Sequence, residues 1–215
     1  MKLKHLFESM PTSKQEVEAI LKKYAITNYV INEDLSVDVD GDVKLANKKL
    51  IALPVTFDKV NGNFYCYDNQ LTSLEGAPRE VGGNFYCADN QLASLEGAPR
   101  EVGGEFNCSR NQLITLNGAP REVDGNFYCR SNKLTSLRGS PREVGGVFYC
   151  GFNKLKSLEG APREVGGNFY CSYNKLTSLK GAPREVGGDF YCSHNKITSL
   201  DGIDNVGGRI ISDIS

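Results

Sequence analysis

From residue 63 onward the apolar positions return with a period of 21 residues. The stretch 84–104, NFYCADNQLASLEGAPREVGG, shows the pattern: Phe85, Cys87, Leu92, Leu95 and Val102 are apolar, with polar or small residues between them. Copies begin at Asn63, Asn84, Glu105, Asn126, Val147 and Asn168, and another, from Asp189, is one residue short. A worn copy from Asp42 places Val43 in the Phe slot, Leu45 in the Cys slot, and Leu50 and Leu53 at the paired leucines. Self-similarity at this period is the mark of a solenoid, in which each unit buries its apolar face only against its neighbours.

Within each unit, the alternation through Asn84, Phe85, Tyr86, Cys87 and Ala88 predicts a short strand with Phe85 and Cys87 facing in and Tyr86 facing out. Gly97-Ala98-Pro99 forbids a continuing helix, so the return arm is expected to be extended or a single tight turn. The chain ahead of the array reads differently. Ser13-Lys14-Gln15-Glu16 is a capping box, and Val17, Ile20, Leu21 and Tyr24 then share one face, which predicts a helix over residues 13 to about 25. Such a helix can cover the open end of the first repeat. Residues 29–32 and 35–39 read as a hairpin around Glu33-Asp34. Val37, Val39, Val43 and Leu45 share parity, so the second hairpin strand is expected to run directly into repeat one. Residues 1–41 are thus an N-terminal segment, capping helix and hairpin, and 42–215 a solenoid of eight repeats plus a terminal strand with Ile210 in the Phe slot. No helix follows that strand, so weak self-association or a partner is expected at this end.

The run Phe-x-Cys-x-x-Asn-x-Leu, carried by Phe85, Cys87, Asn90 and Leu92, resembles the leucine-rich repeat signature with Phe and Cys in place of two leucines. The Pro-containing return arm resembles the short bacterial type of that family. The resemblance covers residues 42–208 and departs from the pattern at Lys48, which stands in the asparagine slot of the first copy and predicts a weaker turn there. It implies an α/β solenoid, predominantly β, with a parallel sheet on the concave face, non-helical return arms and an N-terminal helical cap. It also implies binding of other proteins on the concave strand face. Separately, Leu6-Phe7-Glu8 resembles the Leu/Ile-x-Glu cleavage site of the targeting segments of proteins packaged inside the capsids of some tailed phages. The alternative for residues 1–10 is a docked or frayed terminal helix.

Charge narrows the function. Lys and Arg number 25 against 26 Asp and Glu, a net charge of −1, which gives no global attraction for nucleic acid or anionic membrane. No apolar run approaches the ~20 residues of a membrane span, and the opening MKLKHLFESMPTSK lacks the apolar core of a signal peptide, so a cytoplasmic location in a bacterium or a phage-infected host is expected. Cys66, Cys87, Cys108, Cys129, Cys150, Cys171 and Cys192 all fill one inward slot. On parallel strands ~4.8 Å apart they point alongside rather than at one another, which suits neither a disulfide nor a tetrahedral metal site and predicts buried, reduced thiols. Asp38, Asp40 and Asp42 around Gly41 invite a calcium reading, but Ser36 and Asn47 stand where the loop needs ligands, and the alternating valines read as strand. The file Asn69, Asn90, Asn111, Asn132, Asn153, Asn174 and Asn195 reads as architecture, because an amide with donor and acceptor can satisfy buried backbone at each turn. His5 and His194 are the only histidines, and there is neither a nucleophile elbow nor a phosphate loop. The expectation is a protein without catalytic function, cofactor or metal.

What varies between copies carries the functional expectation. One outward row runs Tyr67, Ala88, Ser109, Arg130, Gly151, Ser172, Ser193; the next runs Asp68, Asp89, Arg110, Ser131, Phe152, Tyr173, His194. The face is acidic early, basic in the middle and aromatic late. A further row changes from Gln70, Gln91 and Gln112 to Lys133, Lys154, Lys175 and Lys196. Beside these stand Tyr65, Tyr86, Tyr128, Tyr149, Tyr170 and Tyr191, broken at Asn107. Tyrosines supply contact area at low entropic cost. These tyrosines, with Arg110, Arg130, Phe152, Tyr173 and His194, are therefore the candidate partner-binding residues of a protein-interaction module. Two alternatives remain: single-stranded nucleic acid on the Tyr and Lys rows, and a structural protein packaged in a virion or assembled end to end.

Overall fold

The computed structural model describes residues 10–214; the Leu6-Phe7-Glu8 motif lies outside them. Ser13 accepts a hydrogen bond from the Glu16 amide (3.3 Å) and starts helix α1, Lys14–Lys23, with Lys22 and Lys23 at its electronegative end. Glu16 reaches back past the cap residue to the Thr12 amide (2.7 Å). Val17 and Leu21 are fully buried against the solenoid core, as the amphipathic spacing required.

Strands β1 (Tyr29–Ile31) and β2 (Val37–Val39) pair antiparallel, Tyr29 opposite Val39. β2 does not continue into the first repeat. The chain turns at Gly41 (φ 142°) before β3 (Val43–Lys44), and the two strands join different sheets, β2 beside β4 (Phe57–Val60) and β3 beside β5 (Phe64–Tyr65). Val37, Val39, Val43 and Leu45 are all buried, so parity survives the corner and gave no sign of it. The three nearby aspartates are spent on the next coil. Asp38 accepts from the Lys59 amide (3.1 Å), Asp40 from the Asn61 side chain (3.2 Å) and Asp42 from the Asn63 amide (2.9 Å).

From β3 on, each coil adds one strand to a nine-stranded sheet, parallel and in register, that ends at Ile210–Ile211. The return arms also form strands, from Glu80–Val81 (β6) to Asn205–Val206, and make a second parallel ladder where extended chain or a single tight turn was expected. The result is a predominantly β solenoid of about eight coils, with one helix among the described residues. Its core holds Phe and Cys from one sheet, Val from the other and the paired leucines between. The buried rings Phe64, Phe85, Phe106, Phe127, Phe148, Phe169 and Phe190 stack with centroids 5.1–5.5 Å apart. No helix among the described residues is long and apolar enough to cross a membrane.

The turn after each Phe-Tyr strand buries backbone groups that the sheets leave without partners, and the Asn file supplies them. Asn111 Nδ2 donates to Cys108 O in its own coil (3.1 Å) and to Cys87 O in the preceding one (3.0 Å), while Oδ1 accepts from the Leu92 amide (2.9 Å). The other six asparagines repeat this bridge. In the first coil, where Lys48 lacks the amide, Asn69 of the next coil closes the turn by accepting from Lys48 and Leu50 (both 3.0 Å). At the far end, the Asp213 carboxylate accepts from the His194 amide, in place of the next-coil carbonyl that serves Tyr173. The core thins there: Ile210 is 40% exposed, and Ile197, Leu200 and Val206 are only partly buried.

One corner explains an irregularity. A Cβ on Gly103 or Gly145 would lie 2.4 or 2.2 Å from a carbonyl oxygen of the preceding coil, so a side chain at these two corners would force the coils apart. Asp124 stands at the equivalent position of the coil between them. There the return-arm ladder lapses, between Glu101–Val102 and Glu122–Val123, which divides it into two five-stranded sheets.

Two stability outcomes follow from these contacts. Asn111→Ala should cost about 2–4 kcal/mol in denaturant unfolding, because it leaves buried carbonyls and an amide unpaired. Asp124→Gly should close the ladder and raise stability by about 1 kcal/mol, with slower amide exchange at residue 124. Unchanged exchange there would mean that the side chain is not what interrupts the ladder.

Candidate functional site

Each outward Tyr follows an inward Phe on the same strand, and the in-register ladder sets each Tyr beside the next. Tyr65 and Tyr86 stack at 5.5 Å, Tyr149 and Tyr170 meet at 5.0 Å with a 37° tilt, and Tyr170 and Tyr191 stack at 4.3 Å. The tyrosines are half-buried rather than exposed, and five of the six have a neighbouring tyrosine ring against them, Tyr128 being the exception. Asn107 interrupts the file, and its side chain turns onto the Ser109 amide (3.1 Å). Desolvation raises the Tyr65, Tyr86 and Tyr128 phenols above their ordinary value, which keeps them neutral. Tyr191 donates to Asp189 (3.0 Å) and Tyr170 accepts from Asn168 (3.0 Å), so these phenols are oriented.

The second file begins where the strand ends. Asp68, Asp89, Arg110, Ser131, Phe152, Tyr173 and His194 all have left-handed backbone, with φ between 53° and 58°. Asn and Asp adopt this conformation readily; for other side chains it costs on the order of 1–2 kcal/mol. Phe152 and Tyr173 hold it while staying 44% and 47% exposed. Their rings stack at 4.4 Å with 8° between planes, and Tyr173 stacks on His194 at 4.2 Å.

Between the two files runs the row Tyr67, Ala88, Ser109, Arg130, Gly151, Ser172, Ser193, of which Ala88, Ser109 and Gly151 are buried, Arg130, Ser172 and Ser193 half-buried and Tyr67 exposed. A Cβ on Gly151 would lie 2.6 Å from Tyr149 Cε2 and 2.9 Å from the Ser172 carbonyl oxygen, so a larger residue would displace the Tyr149 ring and press on the next strand. Arg130 places its guanidinium over the Tyr149 ring at 5.7 Å. Ser109 Oγ is buried without a hydrogen-bond partner.

The candidate residues therefore separate into groups. Over the late coils Arg130, Tyr149, Tyr170 and Tyr191 form one contiguous set and Phe152, Tyr173 and His194 a second on the same strands. Tyr65 and Tyr86 form a distant pair, with Tyr67 edge-on to Tyr65 at 6.3 Å. Tyr128 stands between the groups, half-buried, and Arg110 is drawn into a bidentate ion pair with Asp89. Sequence reasoning missed the left-handed slot, although Asn47, Asp68 and Asp89 in that row were a signal for it. It also missed a second amide file. Asn63, Asn84, Asn126 and Asn168 each accept from the first amide of the following coil at 2.7–2.8 Å, and Asp189 does the same from Arg209.

All seven cysteines are free and buried. Cys108, Cys129, Cys150 and Cys171 donate their thiols to the Tyr carbonyl of the following strand at 3.3–3.5 Å. Burial pushes every thiol up, Cys192 to about 11 and the others further. Thiolate chemistry is thereby suppressed. No group of three or more His, Cys, Asp or Glu among the described residues could hold a metal ion. No protein-family model matches the chain, and no curated protein matches it.

The thiols give a test with a defined sign. In native protein they should react with a disulfide reagent only at the rate of unfolding, and all seven should titrate at once in denaturant. The unfolded chain ionises its thiols near the ordinary value of 9.0 while the native chain keeps them protonated, so stability should fall as pH rises above about 9. Rapid labelling of several cysteines in the native state would contradict the buried file.

Proposed function

We propose that the protein is a non-enzymatic interaction module of the leucine-rich repeat type, which binds a protein partner on the outward face of the Phe-Tyr sheet. The observation that carries this reading is the file Phe152, Tyr173, His194: exposed aromatic side chains, stacked on one another, in a backbone conformation that favours Asp or Asn. None of these three rings fills the core, and hot spots of protein interfaces are built from such aromatic clusters with Arg at the margin, here Arg130. The likeness to leucine-rich repeats is supported by inward Phe, Cys and Leu with an Asn at each turn. The free thiols support a reducing, cytoplasmic setting.

Stacked nucleic acid fits less well. A base inserted between two rings needs about twice the ~3.4 Å stacking step, and the late rings stand only 4.2–4.4 Å apart. What the files offer a partner is ring edges, which suit the side chains of a protein. The test is Phe152→Ala with Tyr173→Ala. The double variant should keep its fold and weaken a cross-linked, purified partner by about a hundredfold, whereas charge reversal at Glu80 and Glu101 on the return arms should change little. Equal affinity of folded variant and wild type would move the binding site off this face.

A further inference from the structure

We infer that the part of the partner seated on the late files is an acidic peptide segment. This rests on the reading of the outward face as the binding face, and it adds the charge and form of what binds there. Lys133, Lys154, Lys175 and Lys196 stand two positions beyond the left-handed slots, all exposed. Each backbone amide donates to a Leu carbonyl of the preceding coil (2.8–2.9 Å), so the four side chains leave the solenoid at the strand spacing, parallel to the aromatic file. None of the six ion pairs among the described residues includes any of them.

The early half of the same surface is built differently. Gln70, Gln91 and Gln112 occupy the Lys slots, and the charges of Asp89 and Arg110 neutralise each other. Over the second to eighth coils, exposed Lys in this slot therefore coincides with the exposed aromatic edges; the first coil carries Lys44 and Lys49, likewise exposed and in none of those ion pairs, without an aromatic file beside them. A wholly apolar partner would cover the lysines without replacing their water, and a basic one would be repelled. A segment that mixes carboxylates with apolar side chains satisfies both files. Four lysines span three strand spacings, roughly 14 Å, which an extended chain covers in about five residues. Asp213, held on the His194 amide, bounds the site at its late end.

The probe is a fluorescein-labelled peptide of alternating Glu and Leu, with a Lys-Leu peptide and oligo-dT of similar length as comparisons, and a short random peptide display library as the unbiased arm. The Glu-Leu peptide is expected to bind and the Lys-Leu peptide not to. Lys154→Glu with Lys175→Glu, shown to be folded by its melting curve, should weaken the Glu-Leu peptide by tenfold or more, on the scale of 1.4 kcal/mol per decade. Peptides enriched from the library should be acidic and lost with Phe152→Ala/Tyr173→Ala. If enriched peptides are lost with the aromatic variant but carry no acidic bias, the acidic inference is overturned while the binding face stands. If enrichment is absent or survives the aromatic variant, both fall. Tighter binding of oligo-dT than of the Glu-Leu peptide would assign the Lys file to nucleic acid and overturn the inference.

Discussion

The bridge made by the asparagine at each turn is the interaction on which the rest of the structure depends. A 21-residue coil cannot bury enough apolar surface to fold alone, so every coil must dock on another. Docking strands in parallel register satisfies most of the backbone, but the turn after each Phe-Tyr strand leaves carbonyls and amides facing inward. One amide side chain with two donors and an acceptor reaches both its own coil and the preceding one, which closes the turn and sets the register together. Register then aligns everything else. Phe lies over Phe, Cys beside Cys, and Tyr beside Tyr because the same bridge recurs.

Close approach of the coils also explains where regularity stops. The Gly-Gly corners approach the preceding carbonyl closely, and the return-arm ladder lapses at the coil whose corner begins with Asp124. That interruption falls among the coils where Asn107 breaks the tyrosine file and the glutamines give way to lysines. The array is thus continuous in its core and divided on its surface: Gln stands beyond the left-handed slot in the second to fourth coils and Lys in the fifth to eighth, where Phe152, Tyr173 and His194 stack.

The surface division links architecture to the proposed binding. Inward slots are held by packing, and the amide files are held by hydrogen bonds. The left-handed slot is the place where the chain can change a side chain at a cost confined to its own backbone. Phe152 and Tyr173 accept that cost at positions where they add nothing to the core, and their mutual stacking returns part of it. The stacking also presents edges rather than faces, which shapes the kind of ligand the files can receive.

Much of this was legible in the residues themselves. Period, inward Phe and Cys, the Asn file and the capping helix follow from alternation, spacing and capping chemistry, which act over a few residues and repeat. What the tertiary structure decided depends on contact between coils. The corner at Gly41 was hidden because Val39 and Val43 keep the same parity whether the chain bends or not. Asp38, Asp40 and Asp42 proved to be links to the second coil, since their partners lie 21 residues away in the chain. Stacked Tyr rings shield one another in two groups, and Phe152 meets Tyr173 because a 21-residue repeat brings them onto neighbouring strands in left-handed slots. Local pattern determined which residues face in; only the stacking of coils decided which outward residues touch.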